Sequence, residues 1–154
     1  MNRDLHRTSV MKPNEGRLQT GEHIFAKILE SKISDARVVI AKFDKENIGS
    51  VDFSTSTDLR ELSLKDLERE INEVIKRGLP VHKNVCKRED VEGGFDLSKI
   101  PDSVKEIRIV EIEGFDKRPC RDPHTDNTKE IGHFAVTKVE RVGKNRYRFL
   151  FDIR

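Results

Sequence analysis

IGHFAVTKVERVGKNRYRFLFDI, residues 131–153, decides the fold. Tyr147, Phe149, Phe151 and Ile153 recur at every second position, the period of a strand with one buried face. Arg146, Arg148 and Asp152 take alternate positions and are expected to face solvent or ligand. Residues 131–142 read as the partner strand, and a turn around Gly143-Lys144 folds the two runs into an antiparallel hairpin. A two-stranded hairpin is marginal in water, so the remaining elements must cover its aromatic face.

Upstream, residues 115–129 are rich in Pro, Asp, Asn and Thr and read as a loop. Residues 104–112 and 80–87 read as strands, with 91–101 as a loop insertion between them. Two more strands, 36–43 and 48–53, flank the polar turn DKEN. Leu18, Ile24, Phe25, Ile28, Leu29 and Ile33 form the stripe of a first helix. A second helix starts at Ser63 as N-cap, runs through Leu64, Leu67, Ile71, Val74 and Ile75, and stops before Gly78 and Pro80. The expected class is α+β, a mostly antiparallel sheet with helices packed on one face. Residues 1–16 form a loosely held lead-in, and 17–154 the domain.

Of the 154 residues, 34% are apolar and 38% charged, which sets a thin core beneath a charged surface. Thirty basic and 28 acidic side chains leave a net charge of +2. That excludes a global basic field, so any nucleic-acid contact must come from a local patch. The two cysteines, Cys86 and Cys120, and the lack of a leader or long apolar run point to a reducing cytoplasm and no membrane. In that setting a Cys beside a His suggests a metal ligand before a disulfide. The run Lys87-Arg88-Glu89-Asp90 reads as solvated surface. His133 reads as structural or pocket-lining, and His6, His82 and Cys86 as chemically idle.

Two clusters could carry chemistry. Gln19-Thr20-Gly21-Glu22-His23 opens the first helix, where the i, i+4 pair Gln19 and His23 can point at one centre. Cys120-Arg121-Asp122-Pro123-His124 lies in the loop, and a Cys and a His four apart on a turn stiffened by Pro119 and Pro123 can reach one ion. Together they supply the N and S donors zinc prefers.

The stretch PCRDPHTDNTKEIGHFAV, residues 119–136, resembles the Cys-x-x-x-His segment of the editing domains of alanyl-tRNA synthetase and of free-standing AlaX proteins. QTGEHIFAKIL, residues 19–29, resembles the His-x-x-x-His helix near the start of those domains. The likeness runs from about Arg17 to Arg154. It implies zinc held by His23, Cys120 and His124, with Gln19 where the family has its first His. Gln19 is a weaker ligand than imidazole, which leaves a position open. The implied reaction hydrolyses the ester joining serine or glycine to the acceptor end of tRNA for alanine. At this length there is no room for a synthetase catalytic domain, so action in trans is expected.

On that reading Thr20 would hydrogen-bond a serine hydroxyl. Glu22 would serve as general base if the helix turns it inward; otherwise it is a first-turn acid favoured by the helix dipole. Arg17, Lys27, Lys117, Arg118 and Arg121 would grip acceptor-stem phosphates. The sequence departs from the family at Arg121-Asp122-Pro123, where small residues are usual, and near Val39, where an editing Gln has no counterpart. A metal-free member that binds tRNA or a protein, and a threonyl-tRNA-type module, are the alternatives. QTGEH is also similar to the HTxEH helix of S-ribosylhomocysteine lyases, but that likeness ends with the helix.

Overall fold

The computed structural model describes residues 14–43 and 45–154; residues 1–13 of the lead-in, His6 among them, lie outside the described residues. The first helix, α1, spans Glu15–Lys32. It starts earlier than its apolar stripe and takes the last two residues assigned to the lead-in, because Glu15, Gly16 and Arg17 form a polar first turn that no periodicity marks. Leu18 N donates to Asn14 O at 3.1 Å, and Glu15 suits the positive end of the helix dipole. Nearly every residue from Leu18 to Leu29 is buried, since α1 contacts strands of two separate sheets.

The first sheet has the order β1-β2-β7-β6, from β1 (Arg37–Lys42), β2 (Ile48–Ser54), β6 (Phe134–Gly143) and β7 (Arg146–Ile153). The second has the order β3-β4-β5, from β3 (Val81–Lys87), β4 (Glu106–Ile112) and β5 (Asp116–Pro119). All pairings of these strands are antiparallel. The α+β expectation holds, with the antiparallel strands divided between two sheets. The second helix, α2 (Leu64–Lys76), packs on β6 and α1. Ser63 Oγ caps it by accepting from Asp66 N at 3.2 Å.

Tyr147, Phe149, Phe151 and Ile153 are buried as their alternation requires. Phe25 of α1 inserts among the aromatic residues, 5.0 Å from Phe149, 5.8 Å from Phe53 and 6.2 Å from Phe134 between ring centroids. Phe134 stacks on Phe151 at 4.8 Å. Burying each such ring contributes about 1.5–3 kcal/mol. Gly21 permits the approach, for a Cβ there would lie 2.6 Å from the Phe134 ring. On the opposite face of the hairpin, Arg146 and Arg148 close on Asp52 at 3.0 and 2.8 Å.

Four segments differ from the sequence reading. The 115–129 segment contains β5, which adds to the edge of β4 with Arg118 opposite Val110; four residues ending in Pro119 are too few to show a period. β6 begins at Phe134 because Thr128–Ile131 coils into a 3₁₀ turn capped by Asn127, whose side chain accepts from Lys129 N. The hairpin turns on Lys144-Asn145, with Asn145 in the left-handed region at φ 54°, a conformation Asn tolerates. Finally, Arg88 is buried despite its charged neighbours. It opens the short turn α3 (Arg88–Val91), and its guanidinium donates to the carbonyls of Pro101, Val104, Ile100 and Leu97. That clamp seats the insertion on Ile107 and Ile109, where Cys86 is a small apolar filler. Among the described residues no helix is long and apolar enough to cross a membrane.

Candidate metal centre

Successive helical residues are 100° apart, so His23 lies about 160° around α1 from Phe25. The face that carries it meets the chain leaving β5. There the ligand atoms of His23, Cys120 and His124 all lie within 4.8 Å of one another. The imidazole rings of His23 and His124 meet edge to face, with centroids 4.4 Å apart. His124 Nε2 stands 3.3 Å from Cys120 Sγ. Its Nδ1 shares a hydrogen bond with Thr20 Oγ1 at 3.0 Å, the kind of outer partner that orients a metal-binding imidazole.

The loop holding Cys120 and His124 is pinned along its length. Cys120 N donates to Arg108 O at 3.0 Å, continuing the β4–β5 ladder one residue further. Arg108 Nη1 donates to Asp122 O at 2.9 Å, and Thr125 N to Thr20 Oγ1 at 3.0 Å. Val81 N donates to Asp126 O at 2.9 Å. Beyond it, Thr128 Oγ1 accepts from Leu79 N and donates to Ile75 O at the end of α2. Gly16 gives the loop room, because a Cβ there would lie 3.3 Å from the His124 backbone.

Burial shapes the chemistry of all three groups. It holds His23 well below the usual imidazole range, with His124 and Arg118 adding to the effect. It lowers His124 to about 3, helped by Arg108 and Lys83. Both rings are therefore neutral at physiological pH, the form that binds metal. Burial pushes the Cys120 thiol up to about 12, and the charges of Asp122 and Glu22 oppose ionisation further. Only a cation at the sulfur would make the thiolate favourable here. His23 Nδ1 is buried with no hydrogen-bond partner among the described residues, and such orphans call for an explanation. Two neutral imidazoles and one thiol, with an unsatisfied ring nitrogen, fit a zinc ion.

The other expected site residues divide. Gln19 is buried one turn before His23, and its Nε2 donates to Glu15 Oε2 at 3.5 Å. Thr20 is fully buried, its hydroxyl engaged by His124 and Thr125 instead of offered to a ligand. Glu22 is not a first-turn acid, since α1 begins seven residues earlier. It is buried beside Arg118, and burial raises its pKa to about 7 although Arg118 pulls it down. Arg17 and Arg118 are not free phosphate ligands. Arg17 donates to Ile131 O and Asn14 Oδ1, and Arg118 pairs with Asp116 at 2.7 Å and Glu30 at 3.2 Å. Lys117 and Arg121 are exposed, and Lys27 is half-buried. Val39 lies at a bulge of β1, and its carbonyl accepts from Lys99 Nζ at 2.8 Å. Sequence reasoning missed Arg108 and Lys83, which come from separate strands and meet the loop only through strand pairing.

Residues 107–149 match the family described as the threonyl and alanyl tRNA synthetase second additional domain. The chain is 30% identical over 142 residues to the alanyl-tRNA editing protein AlaX-M of Methanosarcina barkeri, a match covering 89% of this chain and 57% of that protein. It is 39% identical over 93 residues to the alanine–tRNA ligase of Methanopyrus kandleri, covering 56% of this chain and 10% of the ligase. The Thermoplasma acidophilum alanine–tRNA ligase is 31% identical over 134 residues, covering 86% of this chain and 14% of the ligase. The chain thus spans a little over half of the editing protein and a small part of each ligase. Taken with the fold, these likenesses place the chain in the AlaX-type family of alanyl-tRNA editing proteins.

Proposed function

We propose that this protein deacylates mischarged tRNA for alanine, removing serine or glycine at a zinc site formed by His23, Cys120 and His124. The observation that carries the proposal is the convergence of these three ligand atoms within 4.8 Å, with His23 Nδ1 left without a partner among the described residues. Gln19, one turn before His23, is the candidate for a weak fourth contact through its amide oxygen. Zinc bound there would polarise a carbonyl or lower the pKa of a bound water.

The chain's own residues supply the rest. Thr20 acts as a positioning residue, fixing the His124 ring so that Nε2 faces the sulfur. Glu22, with its pKa near 7, can hold or release a proton at neutral pH beside the thiol. Arg118, tied to Asp116 and Glu30, keeps a positive charge next to Glu22 and stops that pKa from rising further. Lys117 and Arg121, both exposed, are cations that can meet the acceptor end, whereas Lys83 is paired with Asp126 and Arg108 holds the Asp122 carbonyl. We place the activity in the cytoplasm, where charged tRNA is used.

The test is deacylation of seryl-, glycyl- and alanyl-tRNA for alanine by zinc-loaded protein. Hydrolysis of the first two with alanyl-tRNA spared is expected. Protein that binds the tRNA but leaves all three esters intact would instead make it a non-catalytic binder, the role that Gln19 in the first ligand position favours.

A further inference from the structure

Three protein donors leave a zinc ion one position short of its usual tetrahedral set, and the groups around the site are not equal claimants to it. Thr20 Oγ1 is held by His124 and by Thr125 N, each at 3.0 Å. Gln19 offers a neutral amide, and its nitrogen is spent on Glu15. Glu22 lies in the field of Arg118, which already supplies it with a positive charge. Asp122 is placed differently. Its Oδ2 stands 3.9 Å from Cys120 Sγ, on a sulfur that His124 Nε2 also meets at 3.3 Å. Two ligands on a tetrahedral zinc, bonded at about 2.3 Å to sulfur and about 2.0–2.2 Å to oxygen or nitrogen, stand roughly 3.5 Å apart. Both distances fall near that separation.

The loop keeps the carboxylate there. Arg108 pins the stretch at both ends, for its carbonyl accepts from Cys120 N at 3.0 Å and its Nη1 donates to Asp122 O at 2.9 Å. Pro123 restricts the backbone of Asp122 further. With the backbone fixed, two rotatable side-chain bonds set the reach of the carboxylate. Charge points the same way. A zinc dication held by one thiolate and two neutral imidazoles keeps one positive charge, beside a His23 that is only 3% exposed. Buried charge is costly unless it is paired, and one carboxylate cancels it. We propose that Asp122 is the fourth zinc ligand of the substrate-free protein, closing the set of His23, Cys120 and His124. In this structure the Cys120 thiol donates to that carboxylate. An ion bound by both takes the place of the shared proton, which leaves to solvent. The inference rests on the zinc site of the reading above and adds the ligand that completes it.

Cobalt(II) in place of zinc makes the ligands visible, because a bound thiolate gives a sulfur-to-cobalt charge-transfer band in the near ultraviolet. Asp122→Cys, titrated with cobalt(II) under reducing conditions, should show about twice the wild-type intensity, since position 122 then supplies a second soft thiolate. A band of wild-type intensity would overturn the proposal, because a thiolate at 122 would not have reached the ion. Zinc affinity, measured by competition with a chromophoric chelator, gives a second reading. Asp122→Asn should bind zinc at least about 100-fold more weakly, the upper end of what losing an outer partner costs, and Gln19→Ala should stay within about tenfold of wild type. A smaller loss for Asp122→Asn, or a larger one for Gln19→Ala, assigns the fourth position elsewhere. None of these readings involves tRNA. Protein that binds cobalt through position 122 yet hydrolyses no aminoacyl ester ends the editing reading and leaves the ligand in place. Wild-type protein that takes up neither metal ends the zinc site and its fourth ligand together.

Discussion

On one face of α1, Phe25 meets Phe53, Phe149 and Phe134, and Leu18 and Gly21 sit above it in a wholly apolar seam. On the opposite face, Gly16, Thr20 and His23 meet Cys120, His124 and Thr125. The first seam is complete by itself, since its rings need nothing but one another. The second is buried almost as well, yet it leaves a ring nitrogen unpartnered and a thiol that cannot ionise unaided. One helix therefore carries the stability of the domain on one side and a demand for a cation on the other. The comparison predicts that changes on the two faces will be felt by different measurements.

The largest effect belongs to the apolar face. Phe149→Ala empties the centre of the cluster and should lower stability by about 3–5 kcal/mol, read as the midpoint of chemical unfolding. A loss well below that range would mean the cluster is not the core of the fold. Next come the two glycines that let α1 approach its neighbours. Gly21→Ala drives a methyl into the Phe134 ring, 2.6 Å from the added carbon, and should cost about 1–3 kcal/mol. Gly16→Ala meets the His124 backbone at 3.3 Å, so it should weaken zinc affinity while moving the melting temperature less. If both substitutions lower melting temperature equally and spare zinc, the division of the helix into two faces is wrong.

A smaller effect lies behind the hairpin, at Asp52. Burial alone would push its pKa up, but hydrogen bonds from Arg148 and Arg146 outweigh this and hold it below the usual carboxylate value of 3.8. A carboxyl depressed on folding contributes stability above its unfolded pKa and loses it as pH falls through the folded value. Wild-type protein should therefore lose more stability than Asp52→Asn as pH drops below 3.8. Parallel acid-unfolding curves for the two would show that the two guanidinium groups do not hold the charge.

How much of this was legible depends on how local each signal is. The hairpin face was readable because four large apolar side chains alternate without interruption. α2 was readable because Ser63 and Gly78 mark its ends as clearly as its stripe marks its middle. β5 was not, since its pairing partner, not its four residues, makes it a strand. Arg88 looked solvated because the carbonyls that bury it lie 9 to 16 residues further along the chain. Arg118 looked free because Glu30, one of its partners, is 88 residues away. His23, Cys120 and His124 were nominated by spacing and resemblance. The role of Thr20 as their support needed the fold, because a hydroxyl in a helix does not announce which loop will cross it.

The most direct test of a zinc-dependent site is Cys120→Ala, with zinc per chain measured by mass spectrometry alongside seryl-tRNA deacylation. The substitution removes the thiol from a half-buried position at the margin of the core and leaves the aromatic cluster whole, so the protein should stay folded. The account predicts about one zinc per chain and hydrolysis in the wild type, with both lost in the variant. A folded Cys120→Ala protein that deacylates seryl-tRNA at the wild-type rate would contradict it.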